Sequence, residues 1–399
     1  MKKALLVTRV SGFIPQHEMN NVKILQEMGY EVHYAANYNT VVYGKDNHRL
    51  DGTGIIRHQI DFVRSPFSAD TKRAYCQLVE LLQENEFDLL HCHMPISGVL
   101  ARAAAYSVQK QTGRKMPVLY TAHGFHFHKG APLANWLYYP VERHMARYTD
   151  RLILINEEDY RRAQGFPIRG RVERISGVGL HLEQFEGRTK REYGLEDRPE
   201  KEAPGSLQER FQIRQGDAVL ISVGELTKGK NNMAMIQAMK ELGDLAVSYV
   251  ICGSGPMEQQ LRDCVRQLGL EERVKFAGYV TDVPDLLWQA DCFVFPSRRE
   301  GLPVVVMQAM AAGLPVVASR IRGVTDLIEH SKGGYLVEGH EPEDYAVKVR
   351  RLFEEKSGKT AVPREKRREQ MGAWNRERVK EFALEKVDAQ MRRIYQGLD

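Results

Sequence analysis

Short apolar runs of strand length alternate with longer segments of helical period along nearly the whole chain, and this alternation limits the fold more than any single motif does. Strands buried on both faces read as unbroken apolar runs, and helices covering both faces of a parallel sheet supply the segments between them. The pattern therefore predicts α/β architecture. The first series of candidate strands is Ala4 to Thr8, Val32 to Ala36, Ile55 to Asp61, Asp88 to Cys92, Val118 to Thr121 and Arg151 to Ile155. Between about Glu186 and Asp217 the text turns charged, is broken by Gly and Pro, and loses its period, as a connecting segment does. A second series follows: Ala218 to Val223, Val247 to Cys252, Val274 to Ala277, Cys292 to Phe295 and Val316 to Ala318.

Two doubly wound domains fit this rhythm. A chain of 399 residues, 43% hydrophobic, also exceeds what one core usually holds. The expected division is residues 1–185, a linker 186–217, a second domain 218–363 and a charged helical segment 364–399. That last segment carries Met371, Trp374, Phe382, Val387, Met391 and Ile394 at helical spacing, a stripe that needs a surface to bury. The 57 basic residues nearly cancel the 52 acidic ones, leaving a net charge of +5 and no nucleic-acid footprint. Five scattered cysteines without metal-ligand spacing suit reduced thiols. The apolar run after Met1-Lys2-Lys3 is too short for a signal peptide or a membrane span, so a cytoplasmic protein is expected.

Four stretches carry candidate chemistry. Gly224 to Asn231 nearly spells a phosphate-binding loop, but the Ser or Thr that would hold magnesium is missing after Lys230, which disfavours nucleotide triphosphate hydrolysis. Lys230, at a strand-to-helix turn, remains well placed to neutralise a diphosphate. Gly253-Ser254-Gly255-Pro256 follows a strand and opens a helix, where glycines permit close ligand approach; Glu258 replaces the last glycine of a dinucleotide fingerprint, which disfavours NAD. Phe295 to Pro303 is a charged loop leaving a buried strand. Pro303 suits the first helical turn and leaves the Gly301 and Leu302 amides for phosphate oxygens, while Glu300 could accept hydrogen bonds from sugar hydroxyls and Gln308 could reach others. His91, His93, His123, His126 and His128 cluster near strand ends. No acidic or cysteine ligand joins them at metal-site spacing, so the expectation is no metal and a hydrogen-bonding role for His123.

The Glu300 stretch, with Gln308-Ala309-Met310-Ala311, Gly313 and Pro315-Val316-Val317, resembles the signature of family-4 glycosyltransferases. The resemblance extends to the turn at Gly12, His123-Gly124, Gly177-Val178-Gly179, the Gly224 to Lys230 loop and the Gly253 to Pro256 loop. It implies the GT-B fold: two Rossmann-like domains facing a central cleft, with a C-terminal helix crossing back to the N-terminal domain. It also implies a retaining, metal-independent enzyme with no cofactor beyond its nucleotide-sugar donor, expected to be UDP-linked. By the same resemblance Glu300 and His123 contact the transferred sugar. Lys230, Gly301, Leu302 and Gly12 hold the diphosphate, Gln308 the ribose, and Gly253, Gly255, Tyr279 and Val280 surround ribose and base. The chain departs from the family at Glu225, usually Arg, at Gln308, usually Glu, and at His181, usually Asp. Lys228, Arg320 or Arg322 are candidates to replace the lost cation.

Trp136, Tyr138, Tyr139, Arg143 and Arg147 lie in one aromatic and basic segment, which suits a lipid interface or an acceptor surface as well as it suits an ordinary amphipathic helix. Ala122-His123-Gly124-Phe125 and Tyr138-Tyr139-Pro140 resemble enzymes of capsular and exopolysaccharide assembly, which implies a glycan or polyprenyl-diphosphate-linked acceptor at the inner membrane face. A GT-B nucleotide-sugar epimerase and a non-catalytic nucleotide-sugar-binding protein are the competing readings.

Overall fold

The computed structural model describes residues 1–42, 44, 46–65, 68–185, 205–354 and 363–398. It divides into two compact units, Met1–Gly179 with Leu384–Asp399, and Leu180–Ala383.

In the first unit the described strands are β1 (Lys2–Val10), β2 (Tyr30–Asn37), β3 (Ile56–Gln59), β4 (Leu89–His93), β5 (Val118–Ala122), β6 (Arg151–Leu154) and β7 (Arg171–Arg174). All pair in parallel, in the order β3-β2-β1-β4-β5-β6-β7. The central strands β4 and β5 are buried along their whole length, as strands covered on both faces must be. Helices Ala69–Glu84 and Pro95–Thr112 pack on one another over a core of Leu78, Leu82, Leu90, Ala101, Ala105 and Tyr120.

The second unit repeats the plan with β8 (Ala218–Val223), β9 (Val247–Cys252), β10 (Val274–Gly278), β11 (Cys292–Phe295), β12 (Val316–Ser319) and β13 (Gly334–Val337). These strands too are parallel, in the order β10-β9-β8-β11-β12-β13. Both orders reverse beside the first strand, between β1 and β4 and between β8 and β11. In open α/β sheets the loops at such a switch point leave a crevice at the carboxyl ends of the strands, which is where ligands bind.

The unit boundaries differ from the sequence expectation at both ends. Of the expected linker, 186–204 lies outside the described residues. The remainder belongs to the second unit, where Ser206 and Glu209 form a capping box on the helix Leu207–Arg210. The expected single C-terminal segment is two helices, Arg364–Val379 and Leu384–Gln396, separated by a tight turn at Lys380–Phe382. The first is fixed in the second unit, where the Asn375 amide donates to the Leu314 and Gly333 carbonyls at 2.7 Å each. The second lies in the first unit, where the Tyr395 hydroxyl meets His91 Nδ1 at 2.8 Å and Gln390 accepts from the Ser176 amide at 3.0 Å. The chain changes unit where Leu180 pairs with Ala383 and its amide donates to the Phe382 carbonyl.

Candidate active site

In the second unit Lys230 and Glu300 arrive on different loops and meet. Lys230 ends the short turn Lys228–Lys230 beyond β8, and Glu300 stands in the loop between β11 and the helix Val304–Ala311. Lys230 Nζ donates to Glu300 Oε1 at 2.7 Å, with both side chains mostly buried, and the ammonium lies 5.3 Å from the Phe295 ring centre. The Arg298 amide donates to the Gly229 carbonyl at 2.8 Å, which joins the two loops directly. On the loop's other flank, Arg322 Nε donates to the Glu300 carbonyl at 3.1 Å. Gly323, at φ +77°, comes so near that a β-carbon there would lie 2.1 Å from the Gly301 oxygen. The loop is thus held in place while the Gly301 and Leu302 amides find no acceptor among the described residues. A cation, two open amides beside a helix N-terminus and a carboxylate make a place for an anion with hydroxyl groups next to it. Pro303 caps that helix, one position earlier than expected, and Gln308 is half-buried along it.

The other second-unit candidates are placed differently. A β-carbon on Gly253 would sit 1.9 Å from the Gly224 oxygen, and one on Gly255 would sit 2.6 Å from the Leu226 oxygen. Both glycines are therefore required by loop-to-loop packing, a reason independent of any ligand. Tyr279 is 80% exposed and, with Val280, lines a recess shared with Leu207, Arg210 and Asp282. Glu225 and Lys228 are exposed, and Arg320 pairs with Glu338 at 2.5 Å. Of the three cations offered as replacements, Arg322 is the one that touches the Glu300 loop.

In the first unit the carboxyl ends of β1, β4 and β5 bring together Glu18, His93 and His123. His123 Nε2 is 3.2 Å from His93 Nδ1 and 3.3 Å from Glu18 Oε1, and the Asn21 amide donates to the other Glu18 oxygen. Phe13 packs against both imidazoles, at 5.7 and 5.0 Å between ring centres. Burial first, and then the neighbouring His17 and His91, push His123 down to about 3, and burial pushes the Glu18 carboxyl up to about 8. His91 lies behind the cluster, between Tyr395 and Thr121. Gly12 is buried in the same unit and begins the five-residue helix Phe13–His17. Sequence reasoning found the histidines and missed Glu18, which stands after β1 and far from them along the chain.

Over 357 residues the chain is 36% identical to EpsD of Bacillus subtilis (strain 168), named as a glycosyltransferase, with 88% of this chain and 87% of that protein covered. The chain belongs to the glycosyltransferases. The family models agree: a glycosyl transferase 4-like domain matches residues 17–176, and glycosyl transferases group 1 matches residues 206–378. The enzyme is 26% identical over 297 residues, 71% of each chain, to the Escherichia coli UDP-Gal:alpha-D-GlcNAc-diphosphoundecaprenol alpha-1,3-galactosyltransferase. Its fold is that of the GT-B glycosyltransferases. The Anabaena Alr3699/HepE structure in complex with UDP and glucose superposes with a TM-score of 0.73 at 18% identity, with both chains fully covered.

The aromatic and basic segment of the glycosyltransferase folds as two short helices, Leu133–Leu137 and Tyr138–Met145, and divides its residues differently from the expectation. Trp136 and Tyr139 turn inward onto Phe127, and Tyr139 also onto Phe166, with the Arg162 guanidinium 5.0 Å from the Trp136 ring centre. Tyr138, Arg143 and Arg147 are exposed. Beside them Leu133 is 89% exposed, Leu137 75% and Val141 45%. Among the described residues no helix is long and apolar enough to cross a membrane.

Proposed function

We propose that this glycosyltransferase moves a sugar from a UDP-linked donor, with retention of anomeric configuration, onto a polyprenyl-diphosphate-linked glycan during surface polysaccharide assembly. The observation that carries the reading is the meeting of Lys230 with Glu300 beside the open amides of Gly301 and Leu302, at the switch point of the second sheet. Lys230 and the amides take the diphosphate, and Glu300, released from the lysine, accepts hydrogen bonds from the sugar. The bond from C1 to the phosphate oxygen breaks as the acceptor oxygen bonds C1 from the same face, and the acceptor's proton passes to the departing diphosphate. Lysine and amides supply the positive charge, so the transfer step takes no metal there. His123 and Gly12 are assigned to the sugar and diphosphate, Gln308 to the ribose, and Tyr279 and Val280 to the base.

The donor and the lipid-linked acceptor in this reading are those named for the Escherichia coli relative, and UDP is the nucleotide in the Anabaena structure. Other relatives are named for colanic acid and amylovoran biosynthesis, which supports the polysaccharide setting. Leu133, Leu137, Tyr138 and Val141, with Arg143 and Arg147 among them, form a surface suited to an anionic inner leaflet.

The test incubates the protein with radiolabelled UDP-sugars and bacterial lipid extract, and follows UDP release and label entering the lipid phase. Label in lipid from one donor is the expected result. UDP release without lipid label would replace the acceptor by a soluble one, and epimerised donor or tight binding without turnover would overturn the proposal.

A further inference from the structure

We propose that a cavity in the second unit, walled by Trp374, His330 and Thr325, binds the pyranose rings of a neutral glycan. The cavity measures about 590 Å³ and lies between the stretch after the helix Val324–Leu327, the edge strand β13 and the helix Arg364–Val379. Small-ligand sites usually measure about 300–1,000 Å³. None of the residues assigned to the sugar, diphosphate, ribose or base lines it.

The platform is a fixed indole. Trp374 is half-buried, and its ring lies so close to Gly333 that a β-carbon there would sit 2.7 Å from it. The neighbouring Asn375 amide bonds the Gly333 and Leu314 carbonyls at 2.7 Å each, which clamps helix and turn together. An indole held this way offers an apolar face and one N–H donor, matching the mixed surface of a pyranose ring. Buried Leu327, Ile328 and Leu336 complete the apolar wall.

The polar groups point to hydroxyls as partners. His330 Nδ1 accepts from the Leu336 amide at 3.1 Å, which fixes the lone pair on Nδ1 and leaves the proton on Nε2. Burial first, and then the nearby Arg320 charge, hold the imidazole below its ordinary pKa, so this neutral form persists. The Nε2–H, the Trp374 N–H and the Thr325 hydroxyl have no partner among the described residues. The charged groups at the rim are already matched: Arg320 pairs with Glu338 at 2.5 Å, Glu329 with Lys332 at 2.8 Å, and Arg378 with Glu381. An anion would have to break one of these pairs, and Asp326 on the same wall disfavours it further. Hydroxyl groups both donate and accept, so they meet the open groups without displacing a charge. Among the ligands of a glycosyltransferase, such a surface matches a stretch of glycan. Holding the chain there raises its effective concentration at the enzyme between rounds of transfer.

The test measures no sugar transfer, so it stands or falls apart from the donor reading. Full-length protein is mixed with maltotriose, cellotriose or chitotriose, with and without excess UDP, and binding is followed by saturation-transfer NMR and calorimetry. The expected result is saturable binding of at least one trisaccharide, equal with and without UDP. Trp374→Ala and Thr325→Trp should each weaken it about tenfold, the first by removing the platform and the second by filling the cavity. Should Trp374→Ala disturb the packing on Gly333, Thr325→Trp, at an exposed position, keeps the test sound, with far-UV circular dichroism confirming its fold. Failure of all three trisaccharides to bind, displacement by UDP, or binding unchanged in Thr325→Trp overturns the site.

Discussion

Lys230 and Glu300 pair with one another at 2.7 Å, and in the proposed reading the lysine exchanges this partner for the donor diphosphate. Removing the lysine deletes a charge-assisted contact of about 1.5–3 kcal/mol. Lys230→Ala should therefore weaken UDP binding about ten- to a hundredfold by calorimetry; undiminished affinity would remove Lys230 from the diphosphate. Glu300→Gln should act in the opposite sense on binding, because it frees the ammonium: UDP affinity stays level or rises, while turnover falls about a hundredfold. These two residues were legible because each lies in the loop that leaves a strand-like apolar run, and loops after parallel strands are where ligands bind. Glu18 was not legible. It lies in the stretch after the first strand, and only the parallel pairing of β1 with β4 and β4 with β5 brings it to the histidines. The inward turn of Trp136 and Tyr139 was equally hidden, since aromatic character fixes how much surface a residue can bury and not which way a short helix faces.

At the scale of elements, the helix Tyr138–Met145 holds its position through a buried ion pair. Arg102, from the helix Pro95–Thr112, donates to Glu142 at 2.8 Å and stacks 4.0 Å from the Tyr120 ring centre. Losing one partner of such a pair leaves a buried charge uncompensated, at a cost of about 3–5 kcal/mol. Glu142→Ala should lower the urea midpoint accordingly and, by loosening the helix that carries Val141 and Arg143, weaken binding to anionic vesicles. Leu137→Glu should abolish that vesicle binding with the urea midpoint unchanged; retained binding would exclude the patch as the membrane surface. Most strands could be read in advance because burial on both faces writes them as apolar runs. The exceptions have physical reasons: β7 is the edge segment Arg171–Arg174, with one apolar residue, and β13 opens on Gly334 after Lys332-Gly333, a glycine pair that reads as a turn. The break at Lys380–Phe382 escaped notice because apolar residues continue at helical spacing across it, although the two helices serve different cores.

At the scale of the whole molecule, the chain builds two sheets of one topology and then returns to the first. The stripe that looked continuous in sequence is shared between two hydrophobic cores. Met371 is buried in the second, whereas Met391 is buried on the helix Leu384–Gln396, which packs against Met19–Glu27 in the first. Truncating a buried methionine to alanine costs about 2–5 kcal/mol through lost transfer energy and the cavity left behind. Twenty residues apart on the chain, the same substitution should therefore be felt in different places. Met391→Ala should raise amide hydrogen exchange in β1 and β4, and Met371→Ala should raise it in β8 and β12, because local opening follows the core that has been weakened. Exchange mapped by peptide mass spectrometry distinguishes the two patterns. If Met391→Ala instead loosened β8 and β12, the final helix would not belong to the first core, and the division of the C-terminal stripe at Lys380–Phe382 would have to be abandoned.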